Sequence, residues 1–145
     1  MITIRRSKDS DALSLVRLHR STIRNVNSKD YLPKQLQAWV KRSTAKRFKS
    51  LKKRIKRVRF VAVTLKRIIG FGDYENNEVM GLYVHKNYLG KGIGTMLLDS
   101  MEKDAYKRGV RVIYCTSTIT AKKFYEKKGF KVIRKTIHQI KDQKL

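Results

Sequence analysis

The sequence predicts one α/β (α+β) domain with its elements in the order β-α-α-β-β-β-α-β-α-β. Two observations carry this. Apolar residues recur at helical spacing through the first third of the chain, then give way to β-branched runs from Val58 onward. A glycine-bearing segment, residues 89–94, then separates a strand pattern from a helix pattern. The 145 residues suit one domain spanning 1–145, with no repeat, low-complexity tract or linker to divide them.

Residues 2–5 alternate apolar and polar, as a short strand does. Asp9-Ser10-Asp11 offers N-cap chemistry to a helix carrying Ala12, Leu15, Val16, His19 and Ile23. Pro33 suits the first turn of a second helix through Leu36, Trp39 and Val40. Residues 41–59, from Lys41 to Arg59, hold eleven basic residues and no acidic one. Phe48, Leu51 and Ile55 recur there at spacings of three and four, which predicts an amphipathic helix with a cationic outer face. Strands follow at 58–65, 68–74 and 78–85, with turns at Lys66-Arg67 and Glu75-Asn76-Asn77. Ile93, Met96, Leu97, Met101 and Ala105 mark a helix that Gly109 ends. A strand at 110–115, a helix at 118–128 closed by Gly129, and strand at 130–133 with 136–140 complete the expected sheet.

Composition bounds the function. No stretch reaches the ~20 apolar residues of a membrane span. Met1 leads straight into Ile2-Thr3-Ile4-Arg5 without an apolar signal region, so a cytoplasmic location is expected. The lone Cys115 excludes an internal disulfide and a cysteine-rich zinc site, and His19, His85 and His138 are far apart, so no metal is expected. Thirty-six Lys and Arg against eleven Asp and Glu give a net charge of +25. Such a field favours polyanions: nucleic acid, ribosomes, acidic proteins or a phosphate-rich cofactor. Bound polyanion would relieve self-repulsion in residues 41–59, although a charge run also reads as a solvated face.

The loop Leu89-Gly90-Lys91-Gly92-Ile93-Gly94 is the sharpest motif. Glycines allow positive φ and close backbone approach, and the following helix presents free N–H groups and the positive end of its dipole. Together these suit a pyrophosphate. A Walker loop would follow its last glycine with Lys and Ser or Thr, and a dinucleotide fold would place the loop after its first strand; neither pattern fits. Alone, the loop also reads as a glycine-rich turn shaped by packing.

Its context resembles a known family. Val79-Met80-Gly81-Leu82-Tyr83-Val84-His85, Lys86-Asn87-Tyr88 and Leu89-Gly90-Lys91-Gly92-Ile93-Gly94-Thr95 together resemble the acetyl-CoA motif of the GNAT superfamily of N-acetyltransferases. Ala121-Lys122-Lys123-Phe124-Tyr125-Glu126-Lys127-Lys128-Gly129-Phe130 is similar to the family's second block. The segment from Asp30-Tyr31-Leu32-Pro33 to Trp39, with Thr118-Ile119-Thr120-Ala121, looks more narrowly like the YafP-like subgroup. The resemblance implies the GNAT fold, a mixed central β-sheet flanked by helices, and transfer of an acetyl group from acetyl-CoA to an amine by direct attack.

The resemblance also implies roles. Leu82, Tyr83 and Val84 would offer backbone to the pantetheine arm, and Leu89, Gly90, Lys91, Gly92, Ile93, Gly94 and Thr95 would hold the pyrophosphate. Thr118 and Ala121 would add cofactor contacts. Leu89 stands where the family has Gln or Arg, and Thr118 where it often has Asn, so one phosphate contact is lost and another passes to a hydroxyl. Tyr125 matches the tyrosine that protonates the departing sulfur, and Glu78 the general-base glutamate of one branch. Both also read as structural: Tyr125 as an aromatic on the sheet, Glu78 as a polar residue ending a turn. Tyr31 and Trp39 would line the acceptor pocket, with helix packing the plainer reading of Trp39. Asp73, Glu75 and Glu78 could form a local acidic pocket. The family implies dimers as a common state. The competing reading is a nucleic-acid- or ribosome-associated binding protein on the same scaffold, acting through residues 41–59, with little or no catalysis.

Overall fold

The structure, a computed structural model, describes residues 1–49 and 57–133, with the backbone of 139–140 and 143–144. Five strands form one sheet in the order β1-β2-β3-β4-β5. β1 (Thr3–Arg6), β2 (Arg57–Thr64), β3 (Arg67–Glu75) and β4 (Glu78–Val84) run antiparallel to their neighbours, whereas β5 (Tyr114–Cys115) joins β4 in parallel. Leu65 and Lys66 connect β2 to β3 with φ of 48° and 62°. Positive φ at both central residues is the two-residue hairpin turn whose twist matches the strands. The turn therefore sits one residue earlier than expected, and Arg67 pairs with Thr64.

The alternation of β2 sorts the helices onto two faces. Val61 and Phe71 meet Leu15, Val16 and Leu18 of α1 (Ala12–Asn25) and Phe48 of α3 (Ala45–Lys49). Ala62 and Ile69 meet Ile93 and Leu97 of α4 (Ile93–Lys107) on the other face. α2 (Pro33–Arg42) adds Ala38 and Trp39 against Ile23 of α1. Before α1, Asp11 accepts from the Lys8 amide at 2.7 Å and pairs with Arg5 at 2.9 Å. α4 approaches β3 closely because two positions carry no side chain. A Cβ on Gly72 would lie 2.7 Å from Met101 and one on Gly70 3.2 Å from Leu97.

The structure corrects three expectations. Residues 41–59 are not one helix: α2 runs on to Arg42, Ser43 turns extended at ψ 107°, and Arg57, Val58 and Arg59 belong to β2. Leu51 and Ile55 lie outside the described residues. The strand expected at 110–115 is only Tyr114–Cys115, because β4 begins at Glu78, opposite Tyr114, and gives earlier residues no ladder. Instead the Val110 amide closes α4 by donating to Ala105 O at 3.0 Å, the longer bond of a glycine-ended helix. Residues 130–133 likewise form no strand. Phe130 donates its amide to Tyr125 O at 3.1 Å and closes α5 (Lys122–Lys127). Residues 136–138 lie outside the described residues. β6 (Gln139–Ile140) and β7 (Gln143–Lys144) form a separate antiparallel pair beside α2 rather than extending the sheet.

Candidate functional site

The candidate site is a gap in the sheet. β4 and β5 pair only at Glu78 with Tyr114 and Val79 with Cys115; β5 then ends while β4 continues to Val84. The alternation of an antiparallel ladder decides what β4 offers there. His85 donates its amide to Ile69 O at 2.8 Å, so Tyr83 and Gly81 bond toward β3. Leu82 and Val84 turn their N–H and C=O away from β3, toward the edge that β5 has left. A register shift at Asp73 and Tyr74 resets the alternation, so that Asn77 O accepts from the Tyr114 amide at 2.8 Å. An extended, amide-bearing chain can add to such an open edge as a strand would.

The glycine loop lies at the end of β4. Gly90 and Gly92 have φ of 73° and 81°, and a Cβ at either would meet nothing within 4 Å. These two glycines therefore serve conformation and leave their outer side open. The first helical bond of α4 runs from Met96 N to Gly92 O at 3.0 Å, so the N–H groups of Ile93, Gly94 and Thr95 have no helical acceptor. Gly94 has a different role: a Cβ there would press on the Phe124 ring at 3.2 Å, so the small residue seats α5 against the start of α4. The Ile93 side chain is fully buried, leaving only its backbone for a ligand. Leu89 is 50 % exposed and brings no charge, while Lys91 lies over the Tyr88 ring at 5.4 Å, beside the loop. This cradle of open N–H groups fits a pyrophosphate such as that of coenzyme A.

Groups able to move a proton gather where β4 and β5 part. Tyr125 is 5 % exposed and packs with Val79, Leu98 and Met101, its ring edge-on to Phe124 and Phe130. The Cys115 thiol lies beside its hydroxyl, and burial first, then that thiol, raises its pKa well above the ordinary tyrosine value. Burial likewise pushes the Cys115 thiol up to about 11, so it stays protonated near neutrality. Glu78 accepts from Thr116 Oγ1 at 2.9 Å and lies close enough to Cys115 to act on it electrostatically. The structure thus brings Tyr125, Cys115 and Glu78 to one end of the gap. No local pattern in the sequence signals that Cys115 lies beside Tyr125.

The opposite face carries aromatic rings. The Tyr31 hydroxyl accepts from the Ile119 amide at 2.9 Å, tying the α1–α2 connection to the loop before α5. Its ring meets Trp39 edge-on at 5.5 Å. Trp39 itself is 8 % exposed and packs on Ile23, so it stands behind Tyr31 rather than at the surface. Tyr83 stacks on Phe71 at 5.2 Å and meets His19 at 4.6 Å. Thr118 Oγ1 accepts from the Ala121 amide at 3.2 Å and so caps the turn into α5. Next to it, Thr120 Oγ1 is buried without a hydrogen-bond partner, an uncommon state that a bound ligand would relieve.

The expected acidic pocket is not there. Arg59 binds Asp73 through Nε and Nη2, both at 2.9 Å, and Arg57 approaches Asp73 at 3.7 Å and Glu75 at 3.4 Å. Arg57 and Arg59, expected on an outer cationic face, turn inward because β2 alternation puts them on the sheet face that packs on α1 and α3, directly across from Glu75 and Asp73. Among the described residues no His, Cys, Asp or Glu cluster could hold a metal ion, and no helix is long and apolar enough to cross a membrane.

Comparison with known proteins agrees with this geometry. A GCN5-related N-acetyltransferase from Rhodopseudomonas palustris superposes with a TM-score of 0.90 at 24% identity, covering 99% of this chain and 89% of that chain. The PaiA N-acetyltransferase of Thermoplasma acidophilum, solved with coenzyme A, gives 0.78 at 23% identity over 91% of each chain. An aminoglycoside acetyltransferase from an uncultured soil metagenomic sample gives 0.68 at 17% identity, over 95% and 93%. At these identities the likeness is one of fold. No curated protein matches the chain. The model of the acetyltransferase (GNAT) domain matches residues 27–140. With its five-stranded mixed sheet, parted β4 and β5 and glycine cradle, the chain belongs to the GNAT acetyltransferase family.

Proposed function

We propose that this chain transfers the acetyl group of acetyl-CoA to an amine by direct attack. The observation that carries the reading is the meeting, at one gap in the sheet, of open backbone groups, an anion cradle and proton-holding side chains. Acetyl-CoA supplies a thioester, an activated acyl group. Gly90, Gly92 and the N–H groups of Ile93, Gly94 and Thr95 hold its pyrophosphate, with Lys91 as a nearby cation. Leu82 and Val84 pair with its pantetheine amides, and Thr118, Thr120 and Ala121 close the far wall.

Each residue then has a task. Glu78 takes a proton from the amine through water, so that the nitrogen lone pair is free to form the new N–C bond. Tyr125 keeps its proton at all physiological pH values, because burial raises its pKa, and gives it to the sulfur as the C–S bond breaks. Cys115 is too firmly protonated to act as a nucleophile and instead neighbours the Tyr125 hydroxyl. Tyr31 and Trp39 shape the acceptor wall.

Calorimetric titration of acetyl-CoA at two salt concentrations, with ATP as control, tests the reading. Micromolar binding that survives high salt and disappears in Gly92→Glu supports it. Tyr125→Phe should keep that binding and lose turnover. Binding that ATP matches and salt abolishes would reduce the loop to a cationic surface.

A second reading has its own support. The outer side of α1 and α2 exposes Arg17, Arg24, Lys34 and Lys41, and Arg24 and Lys41 share a cleft of about 400 Å³. Such a face suits a nucleic-acid backbone, and would bring the enzyme to an RNA-associated substrate. RNA binding at ~150 mM salt that is no stronger than in a charge-reversed Arg24→Glu/Lys41→Glu variant would remove it.

A further inference from the structure

The number and placement of carboxylates bear on the acceptor. The whole chain has eleven Asp and Glu, and ten of them lie among the described residues. Asp99, Glu102 and Asp104 lie on α4 and Glu126 on α5, in the layer across the sheet from α1. Asp11 is held by Arg5 at the turn before α1, which also carries Asp9. Asp142 is outside the described residues. Among the described residues four remain near the gap or its mouth: Asp30, Asp73, Glu75 and Glu78.

Two of the four are already neutralised. Asp73 is 5 % exposed, yet Arg59 fills one of its oxygens with two donors at 2.9 Å while Arg57 reaches the other at 3.7 Å. Arg57 also engages Glu75. The Arg59 guanidinium is fixed further by the Phe48 carbonyl at 3.4 Å and the Phe48 ring at 4.7 Å, so it cannot swing away to free the carboxylate. Asp30 is exposed beside Tyr31, where water screens it. Among the described carboxylates, Glu78 alone stands at the gap itself, with a hydroxyl as its hydrogen-bond partner.

The rest of this face is aromatic and carries positive potential. His19 lies against Tyr83, Phe71 and Phe48 with Nδ1 on Ser43 Oγ at 2.8 Å, and burial keeps it uncharged. Arg47 acts electrostatically on both His19 and Tyr83. A polyamine or an aminoglycoside brings several ammonium groups, each of which needs a carboxylate once water is stripped from it. A single amine on an apolar body needs one carboxylate and an aromatic wall, which this face supplies.

We infer that the acceptor is a small primary amine on an aromatic or apolar body with no second positive charge, bound between Tyr31, Tyr83 and Glu78. This rests on the acetyl-transfer reading above. The test compares phenethylamine, spermidine and kanamycin as acceptors with saturating acetyl-CoA, following acetylated product by mass spectrometry, with acetyl-CoA binding measured separately by calorimetry. Phenethylamine should exceed the other two by at least about tenfold in kcat/KM, the discrimination an apolar pocket ordinarily reaches. Arg57→Gln, which uncovers Glu75 and one oxygen of Asp73, should narrow the ratio by raising spermidine turnover. Equal or better turnover of spermidine or kanamycin by the unaltered protein would overturn the inference. So would acetyl-CoA binding with no acetylation of phenethylamine. Failure of acetyl-CoA to bind at all would instead sink the acetyl-transfer reading, and this inference with it.

Discussion

Acidification from pH 7 to pH 5 should weaken the fold through one histidine. His19 sits on the buried side of α1 among Phe48, Phe71 and Tyr83, and its pKa is lowered to about 3 by burial first, then by Arg47, Arg59 and Arg20. Unfolded, it regains the ordinary value near 6.5. Between these values the unfolded chain holds a proton that the folded one refuses. Stability therefore rises with pH through this window and is lost as pH falls below about 6.5. At ~1.36 kcal/mol per pH unit, the cost at pH 5 is about 2 kcal/mol, a large share of a typical ~5–15 kcal/mol total. Asp11, with its pKa lowered by Arg5, loses its contribution only below its ordinary value of 3.8, outside this range. Glu102, raised by burial, acts in the opposite sense, so a paired variant is needed to isolate the histidine. Urea unfolding at pH 7 and pH 5 should show that His19→Asn, which cannot titrate but can still bond Ser43, loses about 2 kcal/mol less than the unaltered protein between the two pH values. Equal losses in the two proteins would refute the burial argument.

Three other perturbations probe separate parts of the fold. Gly72→Ala places a Cβ 2.7 Å from Met101 and 3.0 Å from Leu82, and should cost ~1–3 kcal/mol in urea unfolding as α4 is pushed from β3. Asp73→Asn leaves Arg59 buried beside a neutral amide and should cost ~3–5 kcal/mol, whereas the double change with Arg59→Met should recover much of that loss. Tyr31→Phe removes the acceptor for the Ile119 amide; it should raise hydrogen exchange at that amide and raise KM for the amine more than it alters acetyl-CoA affinity.

Local rules carried most of the fold into view. The change from helical to strand periodicity near Val58, the turn before β4 and the positive-φ glycines of the loop each act within a few residues, so sequence alone could place them, and it placed the turn before β3 to within one residue. Family resemblance singled out Tyr125, Glu78 and the glycine loop as candidates. Two misread strands share one cause. The amides of Val110 and Phe130 are the closing donors of α4 and α5, and a short apolar run after a helix reads as a strand unless that capping bond is seen. The basic run misled for a related reason. Charge counting treats every Lys and Arg as outward, but a strand turns alternate residues inward, and Arg57 and Arg59 reach Asp73 and Glu75 across the β2–β3 ladder.

By itself, the sequence determined the order of most elements, the glycine loop, the single cysteine and the balance of +25, because these depend on residue type and near spacing. Only the tertiary structure decided which groups meet. The parting of β4 from β5, the placing of Tyr125 beside Cys115, and the neutralising of Asp73 by Arg59 join residues from ten to thirty-six positions apart whose contact no local propensity encodes. They follow from how two helical layers press on one sheet. That same packing fixes which carboxylates a substrate can still find.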